Sequence, residues 1–462
     1  MLKIYNALTK KKEEFKPIND NVVTFYLCGP TVYDVPHLGH GRSAVAFDII
    51  RRYLIYKGYK VNFVCNYTDI DDKMISRANE KKISVSQLAE EIIPVYKSNF
   101  EALKILEPDH QPRATEYIDS ILEIIKALEE KGVTYLLDDG VYFDISKFPE
   151  YGKLSKQKLE DLHNGVRVEL NEKKRNFQDF VLWKFEKPGE PSWESKWGKG
   201  RPGWHIECSA MSTALLGKSI DIHGGGADLM FPHHECEIAQ SETANSQQFV
   251  KYWIYNAFVN VNKEKMSKSL GNFVTLGDLL KKYNGLVLRY LYLQTHHRAP
   301  INFTPDIIDQ AEQSLERIHG FVRKLITEKK KGESNKEINK LITECTKKFE
   351  KGMDNDFDTS KALAALFDLI KQINIFKKKQ ELTDSDQKSL IDFLIKIDTV
   401  FAFILMEKQE ELPEKILNII KERETARKNK DWAKADEIRK KLLDEGIELE
   451  DTPNGTIWKR IG

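Results

Sequence analysis

Over the first two-thirds of the chain, short apolar runs alternate with glycine-bearing loops and helix-periodic stretches. Val22–Cys28 reads as a buried strand, Ala44–Lys57 as a helix and Val61–Asn66 as a second strand. Strand, loop, helix, strand is the βαβ unit of a parallel sheet. Ile220–His223 and Trp253–Val261 add strand-like runs, as the second half of that sheet would. Between the halves, residues 118–200 read as an insertion, with apolar runs at Val141–Ile145 and Phe180–Phe185. From about Thr304 the pattern becomes helical. Leu363, Leu366, Phe367 and Ile370, for example, fall on one helix face. Polar runs at Glu328–Glu337 and Glu407–Glu414 mark connections. The tail, Ile416–Gly462, reads as a helix hairpin followed by a strand signal at Gly446–Leu449. The expected architecture is α/β: a Rossmann-type parallel-sheet domain over 1–303, an all-α bundle over 304–407 and a small C-terminal domain over 408–462.

Composition narrows the setting. A length of 462 residues with 41% hydrophobic content suits about three domains at roughly 150 residues each. Lysine plus arginine (72) balances aspartate plus glutamate (71), so any polyanionic partner is met by local patches. The N-terminus lacks the basic start and apolar core of a signal peptide, and no apolar run is long enough to span a bilayer. Five widely spaced cysteines, Cys28, Cys65, Cys208, Cys236 and Cys345, read as reduced thiols suited to metal binding or catalysis. A cytoplasmic protein with no membrane association is expected.

Two distant segments carry phosphate chemistry. After the first strand comes Gly29-Pro30-Thr31-Val32-Tyr33-Asp34-Val35-Pro36-His37-Leu38-Gly39-His40-Gly41. Its glycines, Gly39 among them, let backbone N–H groups approach a ligand, and the following helix points its positive end at the site. His37 and His40, three residues apart, can face the same phosphates. Lys265-Met266-Ser267-Lys268-Ser269 places two ammonium groups and two hydroxyls on one short loop, suited to clamping a triphosphate. Alone, the histidine pair reads as an ordinary loop with capping or packed histidines, and the lysine–serine segment reads as readily as an exposed basic turn.

A second constellation has the composition of a zinc site. Arg201-Pro202-Gly203-Trp204-His205-Ile206-Glu207-Cys208 is followed by Asp221-Ile222-His223-Gly224-Gly225-Gly226-Ala227-Asp228 and by Pro232-His233-His234-Glu235-Cys236-Glu237. With the phosphate loop, these segments hold six of the eleven histidines: His37, His40, His205, His223, His233 and His234. If Pro232 opens a helix, His233 shares a face with Glu237 and nearly as well with Cys236. Spacing does not choose between those two as ligand, and softness slightly favours cysteine.

His-Leu-Gly-His and Lys-Met-Ser-Lys-Ser together resemble the two signatures of class I aminoacyl-tRNA synthetases, with leucine for isoleucine in the first. Over nearly its whole length the chain resembles bacterial cysteinyl-tRNA synthetases. The resemblance is carried also by Tyr26-Leu27-Cys28-Gly29-Pro30-Thr31-Val32-Tyr33 and Asn66-Tyr67-Thr68-Asp69-Ile70-Asp71-Asp72-Lys73. It implies ATP-dependent activation of L-cysteine and its transfer to tRNA-Cys, with Mg²⁺ accompanying ATP and one Zn²⁺ per chain. His37, His40, Lys265 and Lys268 would serve catalysis, with Gly39, His40 and Lys268 at ATP. Cys28, Cys208, His233 and Glu237 would hold zinc, and Thr68, Trp204, His223 and Asp228 would surround the substrate. Cys236 stands where that family commonly has asparagine. The bundle would contact tRNA, and Arg427, Asp436 and Asp451 in the tail would read the anticodon. No obligate protein partner is expected, and the chain is expected to be a monomer. The rival reading is a ligase that joins activated cysteine to a small amine, of the mycothiol-pathway type, which would have no use for the C-terminal third.

Overall fold

Four strands lie parallel in the order Val250–Asn256, Ile220–Gly226, Val22–Leu27, Lys60–Cys65. This is a computed structural model, and it describes residues 1–157, 173–265, 273–327, 331–405, 413–429, 431–452 and 455–460. The first strand, Val-Val-Thr-Phe-Tyr-Leu, is built of β-branched and aromatic residues, and Val23, Phe25 and Tyr26 are fully buried. It pairs from Val22↔Lys60 to Leu27↔Cys65 on one side, and on the other it sets Tyr26 opposite His223. The chain winds one way after the first strand and returns on its opposite side. A crevice therefore opens beyond the carboxyl ends of Val22–Leu27 and Ile220–Gly226, where open α/β sheets bind ligands.

The helix after the first strand spans Leu38–Tyr56 and starts earlier than its apolar periodicity predicts. Histidines cause the difference. The His37 ring accepts from the Gly39 N–H, and the His40 ring accepts from the His37 N–H, which makes a capping box from the loop itself. The predicted Trp253–Val261 run also divides. Val250–Asn256 belongs to the main sheet, whereas Val259–Val261 pairs parallel with Ile301–Phe303 and antiparallel with Glu264–Lys265. Ala257 marks the departure, donating its N–H to the His297 carbonyl.

Within the insertion, Thr134–Leu137, Gly140–Phe143, Phe180–Phe185 and Gly200–Pro202 form an antiparallel sheet in that order. Its core joins Ile121, Ile125 and Leu128 of the Ile118–Glu130 helix to Leu182 and Trp183, and to Ile206, Ala210, Cys236 and Ala239. The last four lie on the helices Trp204–Leu216 and Glu235–Asn245. The insertion thus anchors both helices that face the crevice.

By packing, the chain divides into two compact units, Met1–Gln313 with Cys345–Phe367, and Ser314–Glu344 with Asp368–Gly462. The second unit includes the helices Asp384–Phe401, Glu414–Lys428 and Trp432–Asp444 and an antiparallel hairpin of Ile447–Thr452 with Gly455–Arg460. Ile420, Ile438, Leu442, Ile447 and Leu449 form a small core beneath that hairpin. No helix among the described residues is long and apolar enough to cross a membrane.

Candidate metal centre and active site

Four side chains from three separate segments converge at the crevice. Cys28 follows the first strand, Cys208 lies on the Trp204–Leu216 helix, and His233 and Glu237 flank the start of Glu235–Asn245. Their donor atoms all lie within 4.8 Å of one another. Cys28 Sγ is 3.4 Å from Cys208 Sγ and 3.5 Å from Glu237 Oε1, and His233 Nε2 is 3.2 Å from the same carboxylate oxygen. Tetrahedral zinc with bonds of about 2.3 Å to sulfur and 2.0 Å to nitrogen or oxygen would separate these pairs by about 3.8, 3.5 and 3.3 Å. The donor set fits that ion in type and in spacing.

A second layer orients the first. His223 Nε2 meets the other Glu237 oxygen at 2.8 Å, and His205 Nδ1 lies 2.8 Å from His233 Nδ1. His234 bridges the Tyr255 hydroxyl (2.7 Å) and Cys28 Sγ (3.4 Å). Asn66 accepts from the Gly29 N–H at 2.9 Å and lies 3.8 Å from Cys208 Sγ. Gly29 is required there, since a Cβ would stand 1.6 Å from the Asn66 carbonyl oxygen. Burial, and then the adjacent Cys208, push the Cys28 thiol well above its usual range. The Cys208 thiol is drawn down by Cys28 yet raised on balance by burial and by Glu237. Burial with His205 and His223 nearby drives His233 well below the usual imidazole value, so it stands neutral, as a ligand must.

The structure separates the two residues that spacing left open. His233 and Glu237 face the cluster, although the helix proper begins only at Glu235, after a wider turn over Met230–His234. Cys236 points the other way. Its Sγ sits 3.3 Å from the Tyr151 hydroxyl within the insertion core, and it belongs to none of the metal-capable groups among the described residues. Trp204 is 38% exposed with its ring 4.3 Å from that of His233, which places it at the crevice and not in the core. Thr68 is buried, 3.4 Å from Asn66 Nδ2. Asp228 is not brought into the cluster; it is exposed on the Ala227–Leu229 turn. Asn66 and the orienting roles of His205, His234 and Tyr255 escaped sequence reasoning. For Asn66, its place just past the end of the second strand was the available signal.

At the phosphate loop, the His37 and His40 rings stack with centroids 3.8 Å apart. Each Nδ1 accepts a backbone N–H, so a neutral ring carries its proton on Nε2. Burial, and then His37, hold the His40 pKa well below the usual value. The chain emerging from the lysine–serine loop returns to this point: Thr275 bridges His37, Leu38 N–H donates to the Val274 carbonyl, and Phe273 packs edge-on against the His37 ring. Lys265 ends the Glu264–Lys265 strand, and Lys268 lies outside the described residues. In the tail, Arg427 is half-buried on Glu414–Lys428, Asp436 is exposed on Trp432–Asp444, and Asp451 lies in the Ile447–Thr452 strand.

Comparison with known proteins covers the chain nearly from end to end. Residues 14–313 match the family model of the class I (C) tRNA synthetase catalytic domain, 348–404 the DALR domain, and 409–458 the cysteinyl-tRNA ligase anticodon binding domain. The cysteine–tRNA ligase of Thermodesulfovibrio yellowstonii is 48% identical, covering 99% of this chain and 99% of its own. That of Thermococcus gammatolerans is also 48% identical, over 100% of this chain and 99% of its own. Among solved structures, the methionyl-tRNA synthetase of Mycobacterium tuberculosis in complex with methionyl-adenylate superposes with a TM-score of 0.61 at 15% identity, covering 82% of this chain and 89% of that one. At that identity the likeness speaks for the fold alone. With three family models matched in chain order and nearly half the residues identical over full length, the chain belongs to the cysteinyl-tRNA synthetase family.

Proposed function

We propose that this protein activates L-cysteine with ATP and transfers the cysteinyl group to the 3′-terminal adenosine of tRNA-Cys. The observation that carries the reading is the buried donor set Cys28, Cys208, His233 and Glu237, adjoining a crevice whose rim holds the stacked His37 and His40. These four side chains hold one Zn²⁺ per chain. Bound there, zinc supplies a partner that prefers thiolate and lowers the pKa of a thiol. A site built around one strong bond rejects an analogue lacking the bonding group by about 10⁴–10⁵, which would exclude serine without an editing step. Thr68, Trp204, His223 and Asp228 surround the substrate.

The cysteine carboxylate attacks the α-phosphate of ATP, and pyrophosphate leaves. Nε2–H donors of His37 and His40, the Gly39 backbone and the ammonium groups of Lys265 and Lys268 stabilise the charge that develops on phosphorus oxygens, with Mg²⁺ on the triphosphate. A hydroxyl of the terminal adenosine then attacks the cysteinyl carbonyl, releasing AMP. No side-chain nucleophile is needed. The bundle of 304–407 contacts the tRNA, and Arg427, Asp436 and Asp451 read unstacked anticodon bases by their edges. The anticodon-domain match over 409–458 favours tRNA over a small amine as acceptor. The enzyme acts as a cytoplasmic monomer.

The test is pyrophosphate exchange with each amino acid in turn, before and after zinc removal. Exchange with cysteine alone, lost with zinc and restored by adding it back, is expected. Equal exchange with serine, or none with cysteine in metal-replete protein, would overturn the reading.

A further inference from the structure

Tyr96 reaches the phosphate loop from another part of the chain. It lies on the helix Val85–Ala102, whose first turn is fixed by a capping box between Ser84 and Gln87. The side chain is fully buried, in a core cluster with Val32, Tyr67, Leu88 and Ile92. Its ring stands edge-on to Phe100 at 5.7 Å and to His40 at 5.3 Å, between centroids. A phenylalanine would fill that space as well. What calls for a hydroxyl is one atom. Tyr96 Oη lies 3.2 Å from His40 Nδ1, its one hydrogen-bond partner among the described residues. A hydroxyl buried in an apolar core is costly unless it is bonded, and this one is bonded to a histidine of the phosphate loop.

The direction of the bond follows from the other contact at the same nitrogen. His40 Nδ1 accepts the His37 N–H, also at 3.2 Å, and so carries no proton of its own. The Tyr96 hydroxyl therefore donates. Burial raises Tyr96 well above the usual phenol range, so it keeps that proton at physiological pH. Two donors thus meet at one lone pair. The His37 N–H belongs to the loop itself, whereas Tyr96 belongs to a separate helix. Linked hydrogen bonds polarise one another, so density drawn toward Nδ1 leaves the Nε2–H a stronger donor. Two contacts on one edge of the ring also oppose its rotation.

We propose that Tyr96 is a positioning residue for His40, its hydroxyl holding the imidazole in the orientation and tautomer that present Nε2–H to the reacting phosphate. The inference rests on the reading that His40 serves the α-phosphate of ATP. It extends the phosphate site beyond its two signature segments, to a helix that carries neither.

Tyr96→Phe removes the hydroxyl and keeps the ring. In full-length, zinc-replete protein, kcat for pyrophosphate exchange should fall about 3- to 10-fold, the scale of one neutral hydrogen bond. KM for cysteine and for ATP should stay unchanged. In a His40→Asn background the same substitution should have no further effect, because its influence passes through that ring. A general loosening of the core would instead lower kcat alike in both backgrounds. In protein with isotopically labelled histidine ring nitrogens, the His40 Nδ1 resonance is the one missing from His40→Asn. Tyr96→Phe should move it toward the position of an unbonded imine nitrogen. An unchanged kcat, an equal loss in both backgrounds or an unmoved Nδ1 resonance would overturn the proposal. Should Tyr96→Phe fail to fold, replacing Tyr96 by 3-fluorotyrosine carries the test. That residue is a stronger donor of nearly the same shape and should move the resonance the opposite way; no movement would overturn the proposal. A normal kcat in His40→Asn would instead overturn the underlying reading of His40.

Discussion

His223 and Glu237 are joined at 2.8 Å, Nε2 to Oε2, with both side chains fully buried. The other oxygen of the same carboxylate faces Cys28 and His233. One carboxylate thus links the inner donors to an outer histidine on the neighbouring strand. Without His223 the carboxylate can rotate away from the donor geometry. His223→Ala should weaken zinc binding by about 10- to 100-fold, the usual scale for losing an outer partner. Chelator competition followed by metal analysis measures this. An unchanged zinc affinity would show that the contact orients nothing.

Cys236 provides the opposite case. It is 1% exposed and in contact with Tyr151, inside the core that joins the insertion to the two site helices. Cys236→Ala should leave one zinc per chain and an unchanged KM for cysteine. It should lower stability by about 1–2 kcal/mol, through lost packing and an unpartnered tyrosine hydroxyl. A zinc-deficient variant with normal stability would place the thiol among the ligands after all.

Much of this was legible in the chain because the chemistry is local. His37-Leu38-Gly39-His40 and the His233/Glu237 spacing can each be recognised within one helical turn. The Leu38 helix start was not legible from hydrophobic periodicity, because histidines supply its cap and such a pattern does not register polar caps. Thr134–Leu137 and Gly200–Pro202 are too short to show an alternation of their own, and they exist only through pairing with longer neighbours. Glu207 was the hardest. On an isolated helix it reads as a solvent-facing acid, and only the packing around it buries the carboxyl and raises its pKa well above the usual range.

The tautomers at the phosphate loop bear on rate. Each imidazole accepts a backbone N–H at Nδ1, which leaves Nε2–H as the donor for a phosphate. Burial, and then His37, depress the His40 pKa well below 6.5, so the ring is neutral across the physiological range and takes up a proton only in acid. With zinc and magnesium in excess, the exchange rate at saturating substrates should show no inflection from this group between about pH 6 and 8. His40→Asn should lower kcat by about 10²–10³ and leave KM for cysteine nearly unchanged, as loss of one transition-state donor does. A bell-shaped profile that loses its acid limb in His40→Asn would mean instead that the charged ring does the work.

Acidity should act on the metal centre through the thiols. Burial raises the Cys28 thiol well above its ordinary range, and Cys208 is raised on balance, so without metal both hold their protons at neutral pH. His233 is already neutral there and contributes no proton. Zinc binds thiolates, so each cysteine ligand must lose its proton as the ion enters. Below the raised thiol pKa values, metal entry should release about two protons, and the logarithm of the zinc Kd should rise by about two for each unit the pH falls. Chelator competition between about pH 6 and 8 gives the slope directly. Cys208→Ser, if it still binds the ion, should reduce that slope to about one. A slope near zero in the parent protein would mean that the thiols ionise before zinc arrives, and that the cluster is held open by a charge other than the metal.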